Sequence, residues 1–280
     1  MFYADTHTHT RFSHDATEGG SHIDSCEAAL SKGLDYIAFT EHYDVDDIAA
    51  GRYRETDLVS AHEGAVTAIK KYEGRLKAVW GIELGDAPMQ PEMSDRLLGK
   101  WDFGFVIGSL HSSRRDHDFF NIDFSAMSDD YLKLIWYEYL EDLISMAKWA
   151  LGGGKPKVDT IAHITYPCRY YVQHGRAELL DMARAREAFA ELFGIIIHGG
   201  IALECNTSGL RQPIGRTLPD EDTLRLYRSM GGELITIGSD AHRARDIGAG
   251  IAETTDMLVR TGFKYITVFE NRQPHMMPVG

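Results

Sequence analysis

Cysteine is scarce in this 280-residue chain. Its three residues, Cys26, Cys168 and Cys205, stand far apart and form no CxxC pair. That excludes a disulfide-stapled scaffold and a cysteine-rich zinc site, and it fits a reduced, cytoplasmic protein. Positive charge is also short: 29 Lys and Arg against 42 Asp and Glu leave a formal net charge of −13. A surface of that sign argues against a nucleic-acid polymer or an anionic membrane held by bulk electrostatics. It does not argue against a small anionic substrate, because bound cations invert the local field. No uninterrupted apolar run approaches the roughly 20 residues of a membrane span, and no charged-then-apolar signal segment is read at the start. Low-complexity stretches and repeats of fixed period are missing too. The most linker-like segment, the triple glycine at 152–154 before Lys155 and Pro156, is short and reads as a helix-to-strand connection. Length alone favours neither one large domain nor two small ones, since an α/β barrel routinely uses roughly 250 residues as one unit; with no domain boundary read in the chain, a single domain over residues 1–280 is the expectation.

What is present in excess is histidine, at 13 residues. Hydrophobic residues, at 44%, are ordinary and suffice for a core of substantial size. Short runs rich in Ile, Val, Phe and Tyr alternate with longer segments of helical period. The pattern predicts strands over 2–6, 36–40, 77–84, 103–110, 160–165, 201–205 and 234–238, and a last one over 265–269. Helices are predicted over 21–32, 57–72, 129–151, 177–193, 220–230 and 246–261. Repeated β-then-α units imply a parallel sheet covered by helices, and seven or eight of them can close into a barrel. An open, doubly wound sheet is the alternative that pattern alone leaves.

Nearly every predicted strand ends in a metal-ligand residue type. The first ends in Asp5-Thr-His7-Thr-His9 and the second in Thr40-Glu-His42. The third ends in Gly81-Ile-Glu83, the fourth in Gly108-Ser-Leu-His111 and the fifth in Ile161-Ala-His163. The seventh ends in Gly238-Ser-Asp240-Ala-His242. In a barrel all C-terminal strand ends converge on one face, so six segments would deliver His, Glu and Asp to one small volume. His7 and His9 share a facing, as do Asp240 and His242, because a strand repeats its orientation every second residue. Imidazole nitrogen with carboxylate oxygen suits zinc, iron or manganese. The donors exceed what one four-coordinate ion needs, and a carboxylate such as Glu83 can bridge two ions. Alone, each of these histidines has a bland reading as a core or surface residue; the joint placement at six strand ends does not. His22, His62, His117, His174, His198 and His275 read as helix-surface or loop residues, and His14 lies close enough to the cluster to be ambiguous.

These motifs, in this order and over almost the whole chain, resemble the PHP superfamily of polymerase and histidinol phosphatase domains. The opening from Asp5 to Asp15 looks like its first motif. The stretch Leu203-Glu-Cys-Asn-Thr-Ser-Gly-Leu-Arg211, the Leu218-Pro219 pair and the tail Phe269-Glu-Asn-Arg are similar to the histidinol-phosphate phosphatase branch. The resemblance implies a distorted (β/α)7 TIM-like barrel with parallel strands and three divalent ions. It places His7, His9, Glu83 and Asp240 on the first ion, Glu83, His111 and His163 on the second, and Asp15, His42 and His242 on the third. Some members carry a histidine at the position of Asp15, which gives His14 a chance of substituting. The loop Ser112-Ser-Arg-Arg-Asp-His-Asp118 departs from the family, whose corresponding segment is more apolar.

The resemblance further implies a phosphatase acting on L-histidinol phosphate in histidine biosynthesis, with attack on phosphorus by a metal-bound hydroxide. Glu83, Asp240 and His242 are the expected catalytic centre. Arg169 and Arg211 each follow a strand end by a few residues, and their planar guanidinium groups suit bidentate contact with phosphate. The ionised carboxylates of Asp15, Glu83 and Asp240 would repel a phosphate dianion unless cations neutralise them, so ions are needed for binding as well as for chemistry. Arg114 and Arg115 read as a solvated charge pair. Glu204, Asn206 and Asp5 are candidates to orient the ligand histidines. Three other functions stay open on the same residues: a phosphoesterase of the same superfamily acting on nucleotides or another small ester, an amidohydrolase-like barrel, and an inactive metal-binding barrel. Metal identity and oligomeric state are not readable from the sequence.

Overall fold

The strand-forming runs become seven short parallel strands whose order in the sheet is their order in the chain, β1 to β7. The computed structural model describes residues 1–16 and 18–279. The strands are β1 Ala4–Thr8, β2 Tyr36–Asp44, β3 Lys77–Gly85, β4 Phe105–Ser109, β5 Thr160–Ile161, β6 Ala202–Asn206 and β7 Ile235–Gly238. The sheet curls until its edges meet: Thr8 bridges Ala241, the His9 amide donates to the Ala241 carbonyl at 2.9 Å, and the Asp240 amide donates to the His7 carbonyl at 2.8 Å. The result is the distorted seven-stranded barrel that the motifs imply, and not an open sheet. Gly238 permits the closure, because a Cβ there would collide with the His7 Cβ and the Glu204 carboxylate.

Helices α1 His22–Ser31, α2 Val45–Ala49, α3 Leu58–Tyr72, α4 Pro91–Lys100, α5 Asp129–Ala150, α6 Cys168–Gln173, α7 Met182–Gly199, α8 Glu221–Ser229 and α9 Ile251–Arg260 follow the strands. Side-chain caps start several of them. Ser21 and Asp24 form a reciprocal capping box on α1, while Ser128, Asp181 and Asp220 cap α5, α7 and α8. Trp136, Tyr139, Phe189 and Phe193 on α5 and α7 are fully or almost fully buried. Among the described residues no helix is long and apolar enough to cross a membrane.

Several elements differ from the sequence pattern. The fifth strand has only two residues, because the chain turns at His163 into a left-handed conformation (φ 26°). Helix α4 has no counterpart among the predicted helices; it begins at a proline, which suits the first helical position. Helix α7 starts at Met182 after a single 3₁₀ turn and continues to Gly199, and α9 starts at Ile251. The last expected strand, β8 Tyr265–Glu270, is not part of the barrel. It pairs antiparallel with β9 Gln273–Pro278. This hairpin lies under the strand beginnings: the Tyr36 hydroxyl donates to the Phe269 carbonyl at 2.7 Å, and the rings of Phe105 and Phe269 stack with centroids 5.2 Å apart. The opposite mouth, at the strand ends, stays open.

Candidate functional site

Parallel register sets the first contact of the site. Residues His42 and Glu83 are direct partners in the β2–β3 pairing. Glu83 is fully buried, and its two oxygens face different groups. Oε2 lies 3.2 Å from His7 Nε2, 3.5 Å from His9 Nε2 and 2.8 Å from His42 Nδ1. Oε1 lies 3.0 Å from His163 Nε2 and 3.2 Å from His111 Nε2. Asp240, held at φ 54°, brings Oδ1 to 3.5 Å from His9 Nε2 and 3.9 Å from His7 Nε2. Nearer solvent, Asp15 Oδ2 sits 2.9 Å from His242 Nε2 and 3.7 Å from His42 Nε2. All nine expected ligand residues therefore meet at one barrel mouth. His42 reaches two groups at once, since Nδ1 meets Glu83 while Nε2 faces Asp15 and His242. His14 stacks on Tyr53 at 3.9 Å between centroids and lies 3.8 Å from Asp44 Oδ2, whereas Asp15 is the residue in contact with His242 and His42.

Other side chains hold these donors in place. Glu204 Oε1 meets His7 Nδ1 at 2.7 Å, and its Oε2 accepts from the His163 amide at 3.0 Å. Asp44 Oδ1 meets His111 Nδ1 at 2.8 Å. A carboxylate at Nδ1 fixes the tautomer with its lone pair on Nε2, the nitrogen that faces the cluster. Asp86, itself at φ 56°, accepts from the His111 and Ser112 amides at 3.0 and 3.1 Å. Burial pushes the Asp86 carboxyl up to about 7. Ser13 joins the first two strands, with its hydroxyl 3.0 Å from His9 Nδ1, donating to Glu41 at 2.6 Å and accepting from the His42 amide at 3.0 Å. Asp5 ties β1 to β7 by accepting from the Ser239 and Gly248 amides, both at 2.8 Å.

The donor set fits divalent cations on two observations. Triplets such as His9/His42/His242, His7/His9/Asp240 and His42/Glu83/His111 each bring ligand atoms within 4.8 Å of one another. His7 Nε2, His9 Nε2, His42 Nδ1 and Glu83 Oε2 are buried and make no hydrogen bond. A buried polar atom without a partner is costly, and a coordinated cation would satisfy all four. Burial opposes charge on Glu83, yet the neighbouring His7, His42 and His111 outweigh it and hold the carboxyl well below its ordinary range.

A cleft of about 820 Å³ opens above the cluster, large enough for a small phosphate ester. Both expected arginines line it. Arg211 is exposed, and its Nη2 donates to the Ser239 carbonyl at 2.7 Å. Arg169 is buried with its Cζ 4.2 Å from the Tyr166 ring centroid, and its Nη2, 4.0 Å from Asp240 Oδ2, makes no hydrogen bond. Arg114 and Arg115 turn away from the cleft to pair with Asp142 and Glu138 of α5. His22, expected at a surface, is buried against Phe39 and lies 3.5 Å from Glu41.

Sequence reasoning passes over Asp44, Asp86, Ser13 and Tyr166, and it names Asp118 only as the end of the loop 112–118. Asp44 had a signal: it stands two residues after His42, which is the same facing if the strand continues. The others act through turns and loops, where spacing carries no orientation.

The PHP domain model matches residues 5–208. A relative named probable histidinol-phosphatase from Thermotoga maritima is 28% identical over 269 residues, covering 94% of both chains. Another of that name from Deinococcus radiodurans is 26% identical, covering 96% of this chain and 97% of its own. Among solved structures, histidinol phosphate phosphatase from Lactococcus lactis, complexed with zinc, L-histidinol and phosphate, superposes with a TM-score of 0.77. It is 22% identical, and the match covers 98% of each chain. With the family model matched over most of its length, and the barrel and strand-end donors in the order that family's motifs require, the chain belongs to the PHP domain family.

Proposed function

We propose that this protein is a metal-dependent phosphomonoesterase that hydrolyses L-histidinol phosphate to L-histidinol and phosphate, a step of histidine biosynthesis. The observation that carries the reading is Glu83, a buried carboxylate whose two oxygens serve separate sets of imidazoles beneath a cleft lined by two arginines. The shared name of full-length relatives supports the choice of ester. The chain acts as one unit over residues 1–280, because β7, Asp240 and His242 beyond the matched segment complete both barrel and cluster.

In this reading three divalent ions are held, one by His7, His9, Glu83 and Asp240, one by Glu83, His111 and His163, and one by Asp15, His42 and His242. Zinc, iron and manganese all accept this donor set. Bound there, such ions supply Lewis acidity towards phosphoryl oxygens and lower the pKa of water towards neutrality. The chain's own residues do the rest. Arg169 offers its Nη2, which makes no hydrogen bond within the chain, and Arg211 its guanidinium, to the non-bridging oxygens of the phosphate. Glu204 and Asp44 keep His7 and His111 turned with Nε2 inward. Asp15, Glu83 and Asp240 set a local negative charge that makes dianion binding conditional on cations.

The test is phosphate release from L-histidinol phosphate by metal-loaded protein, with and without chelator, beside elemental analysis. Turnover that disappears with the metal is expected. Turnover unchanged after complete metal removal, or confined to nucleoside monophosphates, would contradict the proposal.

A further inference from the structure

The cleft is chemically polarised. Arg169 and Arg211 mark the side suited to an anion. Another part of its lining comes from the loop after β4 and from the segment around α6: Asp118, Phe120, Tyr166 and Tyr170. Asp118 Oδ1 accepts from the Tyr166 hydroxyl at 2.7 Å and from the Phe120 amide at 2.9 Å. The Tyr170 hydroxyl donates to that of Tyr166 at 2.9 Å. Among the described residues, Asp118 Oδ2 has no hydrogen-bond or ion-pair partner. The nearest cations in sequence, Arg114 and Arg115, are already paired on α5. Arg169 stacks on the face of the same Tyr166 whose hydroxyl reaches Asp118. One tyrosine therefore touches a guanidinium with its ring face and a carboxylate with its hydroxyl. Phe120, at 71% exposure, leaves a large apolar ring open at the lip of the cleft.

A carboxylate with a free oxygen, set among aromatic faces, is the chemistry that holds a cationic nitrogen, by charge-assisted hydrogen bond and by cation–π attraction. We propose that Asp118, framed by Phe120, Tyr166 and Tyr170, is the subsite for a positively charged nitrogen on the alcohol portion of the substrate. Within the ester class already proposed, Asp118 would select an alcohol that carries a cationic nitrogen. This rests on the phosphomonoesterase reading of the same cleft and adds the residue that selects the alcohol. It also gives a role to the loop 112–118, whose polar sequence departs from the family pattern.

The experiment compares kcat/KM of metal-loaded wild type and Asp118→Asn on L-histidinol phosphate and on 4-nitrophenyl phosphate, which carries no cationic nitrogen. The selectivity ratio between the two esters should fall at least about tenfold, chiefly through KM for L-histidinol phosphate, with metal content unchanged. A ratio that stays constant, whether both rates fall together or neither changes, would overturn the subsite while leaving the phosphatase reading intact. Wild-type protein inactive on both esters would overturn that reading, and the subsite with it. If Asp118→Asn loses metal or folded structure, Tyr166→Phe carries the same test: a fall in the ratio supports the subsite and a constant ratio overturns it.

Discussion

The seven strands begin among aromatic rings and end among imidazoles. At their beginnings, the β8–β9 hairpin seals the barrel with Phe269 against Phe105 and Tyr36, and Arg272 pairs with the buried Asp159. The side chains there are mostly apolar, with Tyr36 and Asp159 hydrogen-bonded. At their ends, buried ring nitrogens stand without hydrogen bonds, and Asp86, His163 and Asp240 occupy left-handed backbone conformations that non-glycine residues seldom adopt. Strain and unpaired donors at one mouth are tolerable because the other mouth and the surrounding helices supply the stability. Barrels of this kind commonly divide the work in this way, with chemistry at the C-terminal face.

The division can be broken from either side. The largest effect is expected from Glu83→Ala, which removes both carboxylate oxygens that face the imidazoles. Turnover should fall by on the order of 10³ or more, with metal content reduced and the far-ultraviolet circular dichroism unchanged. Full activity in that variant would remove the shared-carboxylate assignment. At the sealed mouth, Phe269→Ala should lower the unfolding free energy by about 3–5 kcal/mol in a denaturant titration and leave KM for the ester unchanged. A selective loss of turnover there would show that the two ends are not separable.

Glu204→Gln probes the supporting layer. It keeps the shape but weakens the hold on His7 Nδ1, and metal affinity should drop roughly 10–100-fold by competition with a chromophoric chelator. Arg211→Ala should cost a similar factor in kcat/KM with metal content intact, whereas loss of metal would contradict a role in binding phosphate. The smallest expected effect is on hydrogen exchange. Stripping the metals should raise amide exchange at the strand ends around His9, His111 and His242 and leave that of the β8–β9 hairpin as it was.

Much of the barrel was readable because its strands are short apolar runs separated by well-capped helices. The ligand set was readable because residues of one facing recur at strand ends. Where the reading stopped, local chemistry gives the reason. Strand β2 runs on to Asp44 because His42 and Asp44 pair with Glu83 and Gly85, a contact between strands that no local pattern encodes. Gly85 leaves the room for it, since a Cβ there would strike the Asp44 carboxylate. Strand β9 carries Pro274 and Pro278 and looks unlike a strand, but its turn residues Asn271 and Arg272 adopt the positive φ angles of a tight hairpin. His22 read by default as a helix-surface or loop residue, yet it shares the buried face of α1 with Cys26 and Ala29 and packs against Phe39, 3.5 Å from Glu41.

The arrangement around Glu83 is tested most directly by anomalous scattering from crystals of the metal-loaded protein. Peaks are expected on both sides of the Glu83 carboxylate, one among His7, His9 and Asp240 and one beside His111 and His163, with a third near Asp15, His42 and His242. Well-ordered side chains at those positions with no anomalous peak among them, in protein that elemental analysis shows to be metal-replete, would contradict the account.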